Sequence, residues 1–146
     1  MFKRVAKGFT LIELMVVVAV IAILASLAYY NYSRYAFRAR RADGREMLMR
    51  VAAAQERYFT NYNRYATSPT AITDAAPNGL GFLPPAESEK GYYAIAAAVG
   101  PSGDVQTYLL TATAQNAQTT DTCRNLTINS LGLKDRSGND DNGACW

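Results

Sequence analysis

At 146 residues and 49% apolar composition, the chain has room for one domain with a modest core. It contains no histidine, which excludes His-based catalytic triads and His-ligated metal sites, and two cysteines cannot hold zinc alone. The formal charge of +3 comes from the extreme N-terminus: without Lys3, Arg4 and Lys7, 12 basic side chains face 12 acidic ones, which is weak support for a nucleic-acid partner.

The first element is apolar. From Phe9 to Tyr30 only Thr10, Glu13 and Ser26 are clearly polar. As a helix this stretch spans ~33 Å, the hydrocarbon thickness of a bilayer. It is not an ordinary signal peptide. Basic residues come first, Gly8 follows at once, the oily run comes after the glycine, and no small-residue cleavage pattern closes it. Cutting after Gly8 would leave the apolar helix on the mature protein. The positive-inside rule, applied to the five arginines between Arg34 and Arg45, favours the reverse topology. The cysteine pair Cys123 and Cys145 calls instead for an oxidising compartment, a cytoplasmic N-terminus and a disulfide-bonded head.

Tyr29, Tyr30, Tyr32, Tyr35 and Phe37 crowd the exit of the apolar run, as an interfacial belt or as packing surface between helices. The helix continues, because no proline occurs before Pro69. Leu48, Val51, Ala52, Gln55, Tyr58, Phe59 and Tyr62 recur at three- and four-residue spacing, so one helix over residues 9–61 carries a one-sided second half that lies on a sheet. Tyr58, Phe59, Tyr62 and Tyr65 read as core and edge packing. Residues 67–91, with four prolines and several glycines, form a loop region. Residues 92–99 and 105–114 read as a hairpin around Gly100-Pro101-Ser102-Gly103-Asp104. A third strand over 123–129 and a short fourth over 131–134 complete a three- or four-stranded antiparallel sheet, and residues 137–143 are turn chemistry. The fold class is α+β.

The opening KGFTLIELMVVVAVIAILA resembles the type IV prepilin signature: a short basic leader, Gly8, then Phe9, Thr10 and Glu13 ahead of an aliphatic run. The stretches RADGREMLMRVAAAQERYFTNYNRYA and TYLLTATAQNAQTTDTCRNLTINSLG and the final CW resemble PilE-type minor pilins. The resemblance implies a type IV pilin fold with a disulfide-closed C-terminal region. It divides the chain into a leader (1–8), a membrane and filament-core helix (9–30) and a head (31–146). It also implies cleavage between Gly8 and Phe9 and N-methylation of Phe9 by a prepilin peptidase and methyltransferase. Positions where many pilins carry Gly and Pro inside this helix look to be Ala22 and Tyr30 here.

Glu13 has two readings. Near a membrane surface it snorkels out, at a cost below the ~2.5–3.5 kcal/mol of a charge at a helix centre. In a filament, it meets the new α-amine of Phe9 on a neighbouring subunit and sets register, since an opposite charge in a low-dielectric bundle favours both ionised forms. The second reading is the one the resemblance supports.

No GxGxxG, Walker or G-x-S-x-G pattern is present. The stretch SGNDDNG lacks the alternating ligands and closing Glu of a calcium loop and reads as a turn. The sequence therefore describes no enzyme, no cofactor and no metal site. The resemblance implies a minor pilin that joins other pilin subunits in a helical filament, passing from the inner membrane, with its head in the periplasm, to an extracellular pilus. Pilus assembly, adhesion, twitching motility and DNA uptake are the roles the resemblance attaches to it. The competing readings are a major pilin, a type II secretion pseudopilin and a minor pilin whose head receives DNA. For the last, Arg124, Lys134 and Arg136 are offset by Asp121, Asp135, Asp140 and Asp141.

Overall fold

The computed structural model describes residues 8–146, apart from the side chains of Tyr29, Tyr30 and Asn31. All of the expected leader but Gly8, and the Tyr29 and Tyr30 part of the aromatic cluster, thus lie outside the described residues. The chain divides into two units, Met1–Tyr35 and Ala36–Trp146.

Helix α1 runs unbroken over Leu11–Tyr62. No proline interrupts it, and its single internal glycine, Gly44, has a packing reason. A Cβ there would come within 2.5 Å of the fully buried Tyr93 ring. The helix stops where Asn63 takes φ 52° and donates its N–H to the Phe59 carbonyl, a left-handed residue after the last turn. Within the second unit Met47, Leu48, Val51, Ala54, Gln55 and Tyr58 are buried, which follows the three- and four-residue spacing. Gln55 is polar but satisfied. Its amide donates to the Ala66 carbonyl at 2.7 Å and accepts the Ala66 N–H at 2.9 Å, tying the loop after the helix to the helix itself.

Four strands follow: β1 Tyr93–Val99, β2 Tyr108–Ala114, β3 Leu126–Asn129 and β4 Lys134–Arg136. They pair antiparallel in the order β1-β2-β3-β4. Alternation puts Tyr93, Ile95, Ala97, Tyr108, Leu110, Ala112, Leu126 and Ile128 on one buried face. These residues form one core cluster with Met47, Leu48 and Val51 of α1. This is the α+β arrangement the sequence describes, with the fourth strand present.

β1 starts one residue later than expected, and the limits of β2, β3 and β4 differ by more, each for a backbone reason. β2 starts at Tyr108 because the Val105 carbonyl accepts the Tyr65 N–H at 2.8 Å and Gln106 turns onto Asp104. β3 starts at Leu126 because Arg124 sits at φ 53° in a turn closed onto the Asp121 carbonyl. β4 is Lys134–Arg136, because residues 131–133 are spent on the hairpin turn.

Candidate functional site

In the N-terminal unit, Gly8, Phe9 and Thr10 precede the helix and are all exposed. Thr10 Oγ1 accepts the Glu13 N–H at 3.3 Å, so Thr10 occupies the N-cap and Glu13 the third helical position. The T-x-x-E spacing is that of a capping box, a helix-start signal present in the local sequence. Thirteen large apolar side chains between Phe9 and Leu27 are each 49–82% exposed. The run is apolar on every face, and its large side chains are exposed.

In the second unit the polar centre is an ion pair. Arg41, on α1, is fully buried against Asp121, which lies in the loop before β3. Arg41 Nε donates to Asp121 Oδ2 at 2.7 Å and its Nη2 to Oδ1 at 2.6 Å. Its Nη1 donates to the carbonyls of Gly143 at 2.8 Å and Ala144 at 3.1 Å. Arg38, one turn earlier, donates to the Asn142 carbonyl at 3.0 Å. Gln118 completes the network, donating to Asp121 at 2.7 Å and to the Tyr93 hydroxyl at 3.0 Å. Burial pushes that hydroxyl up to about 12, with the Gln118 bond and the Arg41 charge working against the shift. The disulfide between Cys123 and Cys145, with Cα atoms 5.7 Å apart, ties the same tail to the loop before β3. Two arginines and one covalent bond thus fix the C-terminus.

Beside this corner lies the β3–β4 hairpin. Period-two alternation puts Lys134 and Arg136 on one face of β4 and Asp135 on the other. The Lys134 ammonium lies 5.3 Å over the Trp146 ring, and the Trp146 indole N–H donates to the Asp135 carbonyl at 2.7 Å. Arg136 pairs with Asp140 at 2.6 Å, both half-exposed. Asp140 also accepts the Cys145 N–H at 3.2 Å and its carbonyl accepts the Gly143 N–H at 2.8 Å, so SGNDDNG is a hydrogen-bonded turn. Cys123, Asp140 and Cys145 cluster, but both sulfurs are in the disulfide.

The aromatic group is packing. Tyr58 and Tyr65 are buried, Phe59 stacks 4.7 Å from Tyr65, and Tyr65 meets Tyr108 edge-on at 4.7 Å. Tyr62 departs from the expected stripe: it is exposed and lies 4.5 Å from Tyr58. The Tyr65 and Tyr108 hydroxyls both donate to Glu56, and burial followed by the Glu56 charge raises both above the ordinary phenol value.

Of the residues singled out from sequence, the structure joins Cys123 to Cys145 and places Gly8, Phe9 and Glu13 together at the start of the apolar helix. It adds Arg41 and Arg38, which in the sequence belong to the arginines following the apolar run, and Asp121, there only one of the acids offsetting Arg124, Lys134 and Arg136. No local pattern marks the Arg41–Asp121 pair, whose partners are 80 residues apart.

Comparison with known proteins places these features. A sequence profile described as "Type IV minor pilin ComP, DNA uptake sequence receptor" matches residues 31–127. A second, the prokaryotic N-terminal methylation motif, matches residues 3–29. Among curated proteins none matches the chain significantly. A solved structure of a type IV pilin from Shewanella oneidensis is similar, with TM-score 0.49 and 22% identity, over 75% of this chain and 97% of that one.

Proposed function

The chain belongs to the family of the type IV minor pilin ComP, and on that footing we propose that its N-terminal helix is cut free of a leader, held in the inner membrane and then packed into a fibre. The protein is a structural subunit of a type IV pilus that assembles with other pilin subunits; it is not an enzyme. In this reading the peptidase cuts between Gly8 and Phe9, in the exposed non-helical segment before the helix, and the new Phe9 amine is methylated. The N-terminus is cytoplasmic and the head periplasmic until export.

The observation that carries the reading is the exposure of the apolar helix. Burying thirteen large apolar side chains stabilises by ~1.5–3 kcal/mol each. One carboxylate, at ~2.5–3.5 kcal/mol or less, does not reverse that balance. Lipid covers the helix before assembly and neighbouring helices cover it afterwards, where Glu13 meets the amine of an adjacent Phe9. Mass spectrometry of sheared pili tests the reading. The expected result is a chain beginning at methylated Phe9. A Glu13→Val variant is expected to be cleaved and membrane-held but missing from fibres, and its normal incorporation would refute the pairing.

A second reading, capture of DNA by the head, is favoured by the matched family's description and by the burial of Asp121, which removes one of the four acids that offset Arg124, Lys134 and Arg136. Ala36–Trp146 still carries 11 basic and 11 acidic residues, so any contact with phosphates is local. Lys134 and Arg136, segregated from Asp135 by the pleat, are the residues proposed for it.

A further inference from the structure

The β3–β4 turn presents two leucines to solvent. Leu131 is 79% and Leu133 63% exposed. They are held rather than loose: Asn129 Oδ1 accepts the N–H groups of both Leu131 and Leu133 at 3.0 Å. The Gly132 N–H reaches the Asn129 carbonyl at 2.9 Å, and the Asn129 N–H reaches the Leu133 carbonyl at 3.1 Å. Gly132, at φ 74°, takes the left-handed position that closes the turn. A rigid tip thus carries a pair of apolar side chains directly before Lys134 and Arg136. The Asp135 carboxylate is turned to the other face and accepts the Arg136 N–H at 2.8 Å.

We propose that this hairpin is a wedge for duplex DNA: Lys134 and Arg136 take backbone phosphates while Leu131 and Leu133 enter between base pairs and unstack them. The inference rests on the DNA-capture reading above. The leucine side chain has no donor or acceptor, so it makes no hydrogen bond to a base edge. Its effect in a groove is to displace stacking, as apolar wedges on architectural proteins do. Pyrimidine–purine steps unstack most easily, so such a tip selects sequence through deformability. The half-exposed Arg136–Asp140 pair is held weakly and yields to a phosphate. The tip lies beyond residue 127, where the match to the family profile ends.

The test uses the full chain in detergent micelles and duplexes carrying 2-aminopurine beside a TA, CA or GC step. Expected for the wild type is salt-sensitive binding with a several-fold rise in 2-aminopurine fluorescence, larger at TA and CA than at GC. The Leu131→Ser/Leu133→Ser variant is expected to keep the salt slope, bind about tenfold more weakly and lose the fluorescence gain. Lys134→Ala should lower the salt slope by about one. Wild-type binding with silent 2-aminopurine, or a full signal from the leucine variant, overturns the wedge and leaves DNA capture standing. Absence of salt-sensitive binding by the wild type at micromolar protein removes DNA capture and the wedge with it. If the leucine variant binds DNA like the wild type but drops out of pili, the tip is a subunit contact and the wedge is wrong.

Discussion

Replacing Arg41 by methionine should be the most damaging single change in the head. The guanidinium is fully buried and makes four hydrogen bonds, two to Asp121 and two to the carbonyls of Gly143 and Ala144. Without it the Asp121 carboxylate, also fully buried, keeps only the Gln118 amide as a side-chain partner. Stranding one member of a buried pair costs about 3–5 kcal/mol. The two tail carbonyls lose charged donors as well, at about 1–3 kcal/mol for each that stays dry. Against a domain stability of about 5–15 kcal/mol, Arg41→Met leaves the head near the edge of folding. Asp121→Leu should do comparable harm, by leaving the guanidinium unpaired. The double variant Arg41→Met/Asp121→Leu removes both charges and should cost clearly less than the sum, with a coupling of at least about 2 kcal/mol. Urea unfolding of the full chain in detergent, followed by Trp146 fluorescence, measures all three. An Arg41→Met variant within about 1 kcal/mol of wild type, or a coupling near zero, would show that the pair does not hold the C-terminal corner.

Reducing the Cys123–Cys145 bond, which closes a separation of 22 residues, should cost about 3 kcal/mol in the chain-entropy account. Calorimetry with and without reductant checks it, and an unchanged Tm counts against that account. The alkaline limb of stability is set by buried tyrosines. Tyr93, raised by burial to about 12, and Tyr108, also raised, stay protonated in the fold while their unfolded counterparts ionise near the ordinary phenol value of about 10. The unfolded state then binds fewer protons, so stability is complete below about pH 10 and is lost as pH rises toward about 12. Each such tyrosine contributes a slope of about 1.4 kcal/mol per pH unit. Urea titrations across that range should show the fall, and Tyr93→Phe should make it shallower.

Helix α1 and the sheet were legible because their causes are local. A proline-free run, a three- and four-residue apolar stripe and a glycine-rich turn each act over a few neighbours. Strand ends were less legible, because they depend on remote backbone groups. β2 is shortened by Tyr65 reaching the Val105 carbonyl, and nothing in residues 105–107 announces that. Gln55 was placed on the stripe without a partner, and it needed the Ala66 backbone to make its burial tolerable. Arg41 is the plainest case. Within the run RARR it is chemically the same as Arg38 and Arg40, and only the angle around the helix sends it inward to meet Asp121. A run of like charges reads as a solvated face until the fold chooses one of them.

The two acids Glu13 and Asp121 pose the same physical problem in different places. Asp121 is solved within the chain, by Arg41. Among the described residues Glu13 has a local helper: Thr10 caps the helix, and an acid at its third position gains about 0.3–1 kcal/mol from the helix dipole. That is smaller than the ~2.5–3.5 kcal/mol a charge costs at the centre of a membrane helix, the setting that a bundle of apolar neighbours comes closest to, so capping alone does not offset the charge once the helix is packed in a fibre. Glutamine separates the two roles, because Gln at the third position has the same reach toward the N-cap N–H as Glu and removes the charge. If Glu13 serves the cap, Glu13→Gln enters fibres as the wild type does. If it serves the amine of an adjacent Phe9, Glu13→Gln is cleaved and membrane-held yet absent from fibres, as Glu13→Val is. Quantifying the subunit in sheared pili against its membrane pool decides between them, and full incorporation of Glu13→Gln would mean that the carboxylate's charge has no part in assembly.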